Sequence, residues 1–248
     1  MVKDVDLIVN EIKRTERLRD ADVLFFQEVV REGDASIADA VAVRLGRFIA
    51  FASPEGRATL GGLAILSRYP LRDQRVHPLK PQNLVFRSRK RIALAATIVT
   101  PDGPVRLVNA HLDTRINPAE RLAQLGAALD DASCFFGPTV IGGDFNTNDM
   151  QWVSNVVPIP YPGWQASRVR ILMESRGFRT PFQTRQATFD HMGMQLDWIY
   201  TNGFKSAGHG IQPVVFSDHH AIWVRLVSAS PGSSPETERS RAARLGGA

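Results

Sequence analysis

The chain has a single cysteine in 248 residues. A lone thiol forms no internal disulfide and cannot build a cysteine-based zinc site. Cys134, followed by Phe135 and Phe136, reads as a buried, inert side chain. Long apolar runs are also missing. Stretches such as Ile92 to Ala96 fall far short of the roughly 20 residues that a membrane helix needs. The opening MVKDVDLIVN lacks the apolar stretch of a secretory signal. These absences make the cytoplasm the expected location. Acidic residues are the minority charge, 25 against 30 Lys and Arg, for a net +5. That surplus suits a polyanionic partner such as nucleic acid or a phosphorylated surface, though many soluble enzymes are as basic. What is plentiful is core-forming material. Hydrophobic residues make up 44%, which argues against wholesale disorder, and the length suits one domain.

Helical and extended patterns alternate along the chain. Val5, Ile8, Ile12 and Leu18 recur at helical spacing and predict an opening helix. Strands are expected at residues 22–26, 63–66, 92–99, 105–110, 139–141, 196–200 and 221–227. A helix is expected from Asn117, with Pro118 in its first turn, Glu120 three residues after the cap, and Leu122, Leu125 and Leu129 on one face. Pro158 to Gly163 reads as a loop. A folded domain over residues 1–227 is therefore expected, followed by a polar, Pro/Gly-rich tail over 228–248 that reads as disordered.

Polar clusters repeatedly follow the apolar strands. Gln27 and Glu28 follow VLFF, and His111 follows RLVNA. Asp144 and Asn146 follow TVIGG, while Ser217, Asp218 and His219 follow VVF. Strand ends deliver such side chains to a common rim held by the sheet. The gathered set is Glu28, His111, Asp144, Asn146, Asp197, Asp218 and His219. Its oxygen donors, without thiolates, favour a hard cation, Mg2+ or Mn2+. A carboxylate can activate water, and an imidazole held by a carboxylate can donate to a phosphate. Singly each residue has a plain alternative. Gly, Asp and Asn form turns, and a histidine can be a satisfied rim group. The ordered recurrence on strand ends is what favours chemistry.

At these residues the sequence resembles the endonuclease/exonuclease/phosphatase superfamily, which includes deoxyribonuclease I-like and exonuclease III-like metal-dependent phosphoesterases. The matching stretches are Gln27–Glu28, AILSRYPL (64–71), NAHLD (109–113), GGDFN (142–146), LDWIY (196–200) and SDHHA (217–221), in the family's order. The resemblance implies a four-layer α/β sandwich, two packed mixed β-sheets flanked by helices, with the site at one end. It also implies roles. Glu28 is the principal metal carboxylate and Asp218 the second. Asp144 orients or deprotonates the attacking water, Asn146 and His111 meet the phosphate, and Asp197 holds the catalytic His219. His220 would point away on an extended backbone. Family members usually open with a strand bearing a metal-binding Asn, and that strand is not evident here. Asn10 is the nearby alternative, but it sits in a helical pattern only 18 residues before Glu28.

Substrate is the open question. The stretch from Arg68 to Arg91 carries Arg68, Arg72, Arg75, Lys80, Arg87, Arg89, Lys90 and Arg91 against Asp73. It reads either as a surface tracking a nucleic-acid backbone or as a solvated strand edge protected by charge. Trp152, Tyr161 and Trp164 are available for stacking or for packing. Arg121 and Gln124 share a helix face and read as a structural pair. The expected activity is a phosphodiesterase or nuclease. An inositol-phosphate phosphatase or sphingomyelinase-like phosphodiesterase acting on a small phosphorylated substrate or headgroup is the alternative. A non-catalytic phosphate-binding remnant is the third reading.

Overall fold

The structure is a computed structural model and describes residues 4–54, 61–82, 90–183 and 186–229. Helix α1 (Val5–Arg14) is capped by the Asp4 side chain and breaks at Thr15 before the short α2 (Glu16–Arg19), so the single opening helix expected from the periodicity is two. There follow β1 (Val23–Val29), β2 (Arg31–Glu32), β3 (Ala35–Ser36), α3 (Ile37–Leu45), β4 (Phe48–Ala52), β5 (Gly62–Ser67) and β6 (Leu71–Leu79). The middle of the chain forms β7 (Arg91–Thr100), β8 (Gly103–His111), α4 (Pro118–Ser133), β9 (Thr139–Asp144), β10 (Met150–Val153) and β11 (Val157–Pro160). Helix α5 (Trp164–Ser175) precedes β12 (Asp197–Asn202), β13 (Phe204–Gln212) and β14 (Ala221–Ser228).

Three apolar clusters define the layers. Ile8, Val9 and Ile12 of α1 and Val41 of α3 pack on Ala64 and Leu66 of the sheet ordered β1-β5-β4. The other face of that sheet, with Leu63 and Ile65, packs on Leu94, Ala96 and Leu107 of a second sheet. The second sheet is ordered β12-β9-β8-β7-β6. Its outer face, with Ala93, Ala95, Val108 and Trp198, packs on Leu125 and Leu129 of α4 and on Val169 and Met173 of α5. The order is helices, sheet, sheet, helices, the expected four-layer sandwich. Strand β7 is apolar on both faces because both are covered.

Among the described residues β1 pairs only with β5, and β14 only with β13. Residues 23–27 and 221–228 of these two edge strands line one cleft of about 1080 Å³, together with Leu107 and Val140 of the second sheet.

Three expectations need correction. Cys134 is exposed, because α4 ends there and leaves its C-cap in solvent. Pro158 to Gly163 is not all loop: Val157–Pro160 pairs with Met150–Val153 as a hairpin, since two-stranded edges tolerate prolines that donate no hydrogen bond. Arg121 and Gln124 do not pair with each other. Arg121 Nε donates to Gln165, and Gln124 Nε2 donates to Asp113. The tail over 228–248 lies, beyond Ala229, outside the described residues.

Candidate active site

Sheet register builds the site. Strand β9 lies between β8, which is parallel to it, and β12, which is antiparallel, and His111, Asp144 and Asp197 are aligned across the three strand ends. Gly143 permits the close approach of β8 and β9. Its φ is +130°, and a Cβ there would lie 2.1 Å from the Ala110 carbonyl oxygen. The other sheet contributes Glu28. The β1–β5 register slips between Phe26 and Val29, and Glu28 takes a left-handed φ of 55°. Such a bulge re-aims a side chain at a cost in backbone strain. Gln27 beside it donates to Asn109 Oδ1 at 2.7 Å, and Asn109 bonds the carbonyls of Phe26 and Ala64, tying the two sheets together at the site.

All seven residues singled out in the sequence line one pocket of about 480 Å³. Asp144, Asn146, His111 and Asp197 are buried, Glu28 and His219 are half-buried, and Asp218 is exposed. Asn146 also has a left-handed φ of 50°, a conformation that Asn tolerates. Its backbone N–H donates to Asp144 Oδ1 at 2.8 Å, and its side-chain amide to Leu112 O and Asp144 Oδ2. His220 points outward to Asp190, 2.8 Å away, as expected. Asn10 is exposed on α1 and does not line the pocket.

His219 and Asp197 form a pair. Nδ1 of His219 is 2.8 Å from Asp197 Oδ2. The same oxygen accepts from the Thr188 hydroxyl at 2.7 Å, and that hydroxyl in turn accepts from the backbone N–H of Leu196 and Asp197. Phe189 bridges to His219 and stacks obliquely on its ring at 5.1 Å. Thr188 and Phe189 had no sequence signal, because their short polar segment has neither periodicity nor motif.

The two neighbouring carboxylates are driven apart in acidity. Burial works against ionisation of Asp144, but the contact with His111, the charge of His219 and the Asn146 N–H outweigh it and lower its pKa. Burial, with the charge of Asp144, raises Asp197 against the hydrogen bonds from His219 and Thr188. Burial disfavours the charged form of His219, yet the Asp197 hydrogen bond and the charges of Asp197, Asp144 and Asp218 raise it to about 9. The site at neutral pH therefore holds an anionic Asp144 beside a cationic His219, the division of labour that acid–base chemistry needs.

Two sets of residues are available to a cation. Asp144, Asp197 and His219 offer ligand atoms within 4.8 Å of one another. The His219 nitrogen facing Asp197 is already hydrogen-bonded, and a cationic imidazole repels a metal, so this trio is better read as an acid–base unit. Glu28 and Asp218 face the same pocket as carboxylates, and that oxygen donor set fits a hard divalent ion.

Met150, Trp152, Pro158, Phe189, Met192 and Met194 give part of the wall an apolar lining, and Arg115 lines the same pocket with its guanidinium 5.8 Å from the Trp152 ring. Asn117 secures its hairpin to the start of α4, with its amide donating to Trp152 O and accepting from Trp152 N. Glu120 completes the helix start by accepting from the Asn117 N–H at 2.8 Å. Tyr161 and Trp164 pack on each other at 4.9 Å. Arg121 supports the floor from beneath. Its guanidinium is fully buried and donates to the carbonyls of Asp113, Phe145 and Ile116. Burial lowers it to about 9 against the pull of Asp144 and Asp113, so it stays charged at neutral pH.

The basic stretch is dispersed. Arg72 and Arg75 lie on β6, and the pairing of Leu79 with Arg91 and of Leu71 with Ile98 puts them toward the far end of that edge strand. Arg75 is 3.6 Å from Asp131, and Arg68 donates to Arg19 O. Lys80 and Lys90 are exposed near the site end, Arg91 is turned inward, and Arg87 and Arg89 lie outside the described residues.

A family model described as Endonuclease/Exonuclease/phosphatase family matches residues 1–219. No curated protein sequence matches the chain. Among solved structures, an endonuclease/exonuclease/phosphatase from Beutenbergia cavernae DSM 12333 superposes with a TM-score of 0.70 at 20% identity, covering 93% of this chain and 68% of that one. The human Nocturnin catalytic domain with bound sulfate gives 0.65 at 19% identity, covering 91% and 86%. The 3'-5' exonuclease from Neisseria meningitidis gives 0.62 at 19% identity, covering 91% and 96%. Identities this low establish a shared fold.

Proposed function

The chain belongs to the endonuclease/exonuclease/phosphatase family, and on that premise we propose that it is a divalent-metal-dependent phosphodiesterase that cleaves its substrate with an activated water. The observation that carries this reading is the row His111–Asp144–Asp197 in register across three strand ends, with His219 fixed on Asp197 at 2.8 Å. Asp144, anionic and held by Asn146, accepts the proton of the attacking water. Cationic His219 donates to the phosphoryl oxygen as negative charge develops there. Asn146 holds Asp144 in place and lies beside the phosphate. Glu28 and Asp218 would hold Mg2+ or Mn2+. When bound, that ion would neutralise charge on the phosphate and the leaving oxygen.

Nucleic acid is the first substrate class on charge, with Arg91 and Arg115 lining the pocket and Lys80 and Lys90 exposed near its end of the sheet. A phospholipid headgroup is the second, and one observation favours it. The hairpin that walls the pocket carries no charge and exposes Val153, Val156, Val157 and Ile159 on its outer side. Uncharged apolar surface beside a phosphoesterase pocket suits a substrate with an apolar body.

The test is hydrolysis of an aryl phosphodiester by the full chain. Activity is expected to vanish after chelation and return with Mg2+ or Mn2+. Full activity after exhaustive chelation would overturn the metal-dependent reading.

A further inference from the structure

Arg91 opens β7 and belongs to the basic stretch, yet its side chain is only 10% exposed. Its Nη1 is 2.9 Å from His111 Nδ1. Its Nε is 3.5 Å from Asp113 Oδ1 and makes no hydrogen bond. Asp113 is itself fixed by Gln124, whose Nε2 donates to Oδ2 at 2.7 Å and whose Oε1 accepts the Asp113 N–H at 3.0 Å. A buried chain of contacts thus runs from α4 through Asp113 and Arg91 to His111.

A guanidinium presents only N–H donors and stays protonated. At 2.9 Å it can hydrogen-bond a ring nitrogen only if that nitrogen offers a lone pair. His111 Nδ1 is therefore unprotonated, and the ring proton sits on Nε2, which lies 3.2 Å from Asp144 Oδ2. A doubly protonated His111 would set two cations and two donors against each other.

We infer that Arg91, anchored by Asp113, is a positioning residue that keeps the proton of His111 on Nε2 and so holds His111 as an uncharged donor facing Asp144. The two imidazoles beside Asp144 are thereby set to different states. His219 is backed by a carboxylate and carries charge, while His111 is backed by a guanidinium and does not. Asp144 gains a directional N–H on one side without a second charged imidazole against it. The Nε2–H of His111 faces Asp144, so His111 orients this carboxylate. Only the catalytic consequence rests on the phosphodiesterase reading.

Long-range 1H–15N spectra of the histidine rings in the full chain test the inference, with His111 assigned by its loss in His111→Gln. The wild type is expected to show His111 with an unprotonated Nδ1 and a protonated Nε2. Arg91→Lys, which keeps a cationic donor, is expected to retain that pattern. Arg91→Met is expected to lose it while the His77 and His209 signals stay in place. A wild-type His111 protonated on Nδ1 overturns the inference, and so does an unchanged ring in folded Arg91→Met. The wild-type spectrum decides by itself if Arg91→Met does not fold. In turnover of an aryl phosphodiester, Arg91→Met is expected to lower kcat roughly tenfold, the low end for a group that orients a functional imidazole. Arg91→Lys should recover most of that loss, and Arg91→Met with His111→Gln should be no worse than His111→Gln alone. Multiplicative losses would contradict the coupling. A wild type with no phosphodiesterase activity would remove the proposed function and leave the spectra to decide the tautomer.

Discussion

At the scale of single residues, the site rests on groups whose burial is tolerable only because of their partners. Asp197 is buried at a strand start, and an unpaired carboxylate there would be costly. Its partners are His219 and Thr188. His219→Ala is expected to lower kcat by about 10^2 to 10^4, the range for a positioned proton donor, with a much smaller change in KM. Adding Asp197→Asn should cost little more, because residues that act as a unit are not additive. Independent, multiplying losses in steady-state kinetics would dissolve the pair. Stability carries the same signature. The folded-state pKa of His219 is raised from 6.5 to about 9, so its contribution is complete below the unfolded value and lost as pH rises through about 9. Urea unfolding should therefore show a larger gap between wild type and His219→Ala at pH 6 than above about pH 9. Five of the seven site residues were legible in the sequence because each lies at the end of an apolar strand or just after it or, like Asp197, opens one. Asp218 and His219 follow residues 214–216, which the structure makes a loop and turn between β13 and β14 and not the expected strand, so they were legible only through the SDHHA motif. Thr188 was not, because a hydroxyl that closes a hydrogen-bond network leaves no local pattern.

At the scale of elements, legibility followed burial. Strands β5, β7, β8, β9 and β12 are covered on at least one face and read as apolar runs. Strand β6, LRDQRVHPL, is an edge strand with mostly exposed side chains, so its sequence offered charge in place of periodicity. Helix α3 was within reach: Ser36 and Asp39 form a capping box, a pattern present in the sequence. The opening helix divided at Thr15 because apolar spacing does not register a local break. Gly143 is the element-scale test. An added Cβ would meet Ala110 O at 2.1 Å in a backbone conformation that L side chains rarely adopt. Gly143→Ala is expected to destabilise the fold by about 3 kcal/mol, in the upper range of single substitutions, as read by denaturant unfolding. A change under about 0.5 kcal/mol, ordinary for a surface site, would mean that the β8–β9 junction adapts and does not fix the register of His111 and Asp144.

At the scale of the molecule, the common rim was legible because polar clusters recur after apolar runs, while the four layers were legible only through the family resemblance. The substrate was not. Its pocket wall is assembled from a proline-bearing hairpin and from residues 189–194, which come together only in the folded chain. The basic stretch was open to two readings, a backbone-tracking surface or a charged strand edge, and among the described residues the fold puts Arg72 and Arg75 on an edge strand and turns Arg91 inward. Nucleic acid as substrate predicts hydrolysis that weakens steeply with salt. A phospholipid substrate predicts that Val157→Asp with Ile159→Asp abolishes hydrolysis of vesicles and spares a soluble phosphodiester. The most direct measurement is one panel on the full chain, chelated and then resupplied with Mg2+ or Mn2+. It holds single- and double-stranded DNA, RNA, an inositol phosphate, sphingomyelin vesicles and an aryl phosphodiester, with Asp144→Asn run beside the wild type. Metal-restored cleavage of at least one phosphodiester, lost in Asp144→Asn, is the expected result. A folded, metal-supplied wild type that cleaves none of them, or an Asp144→Asn variant as active as the wild type, would contradict the phosphodiesterase assignment.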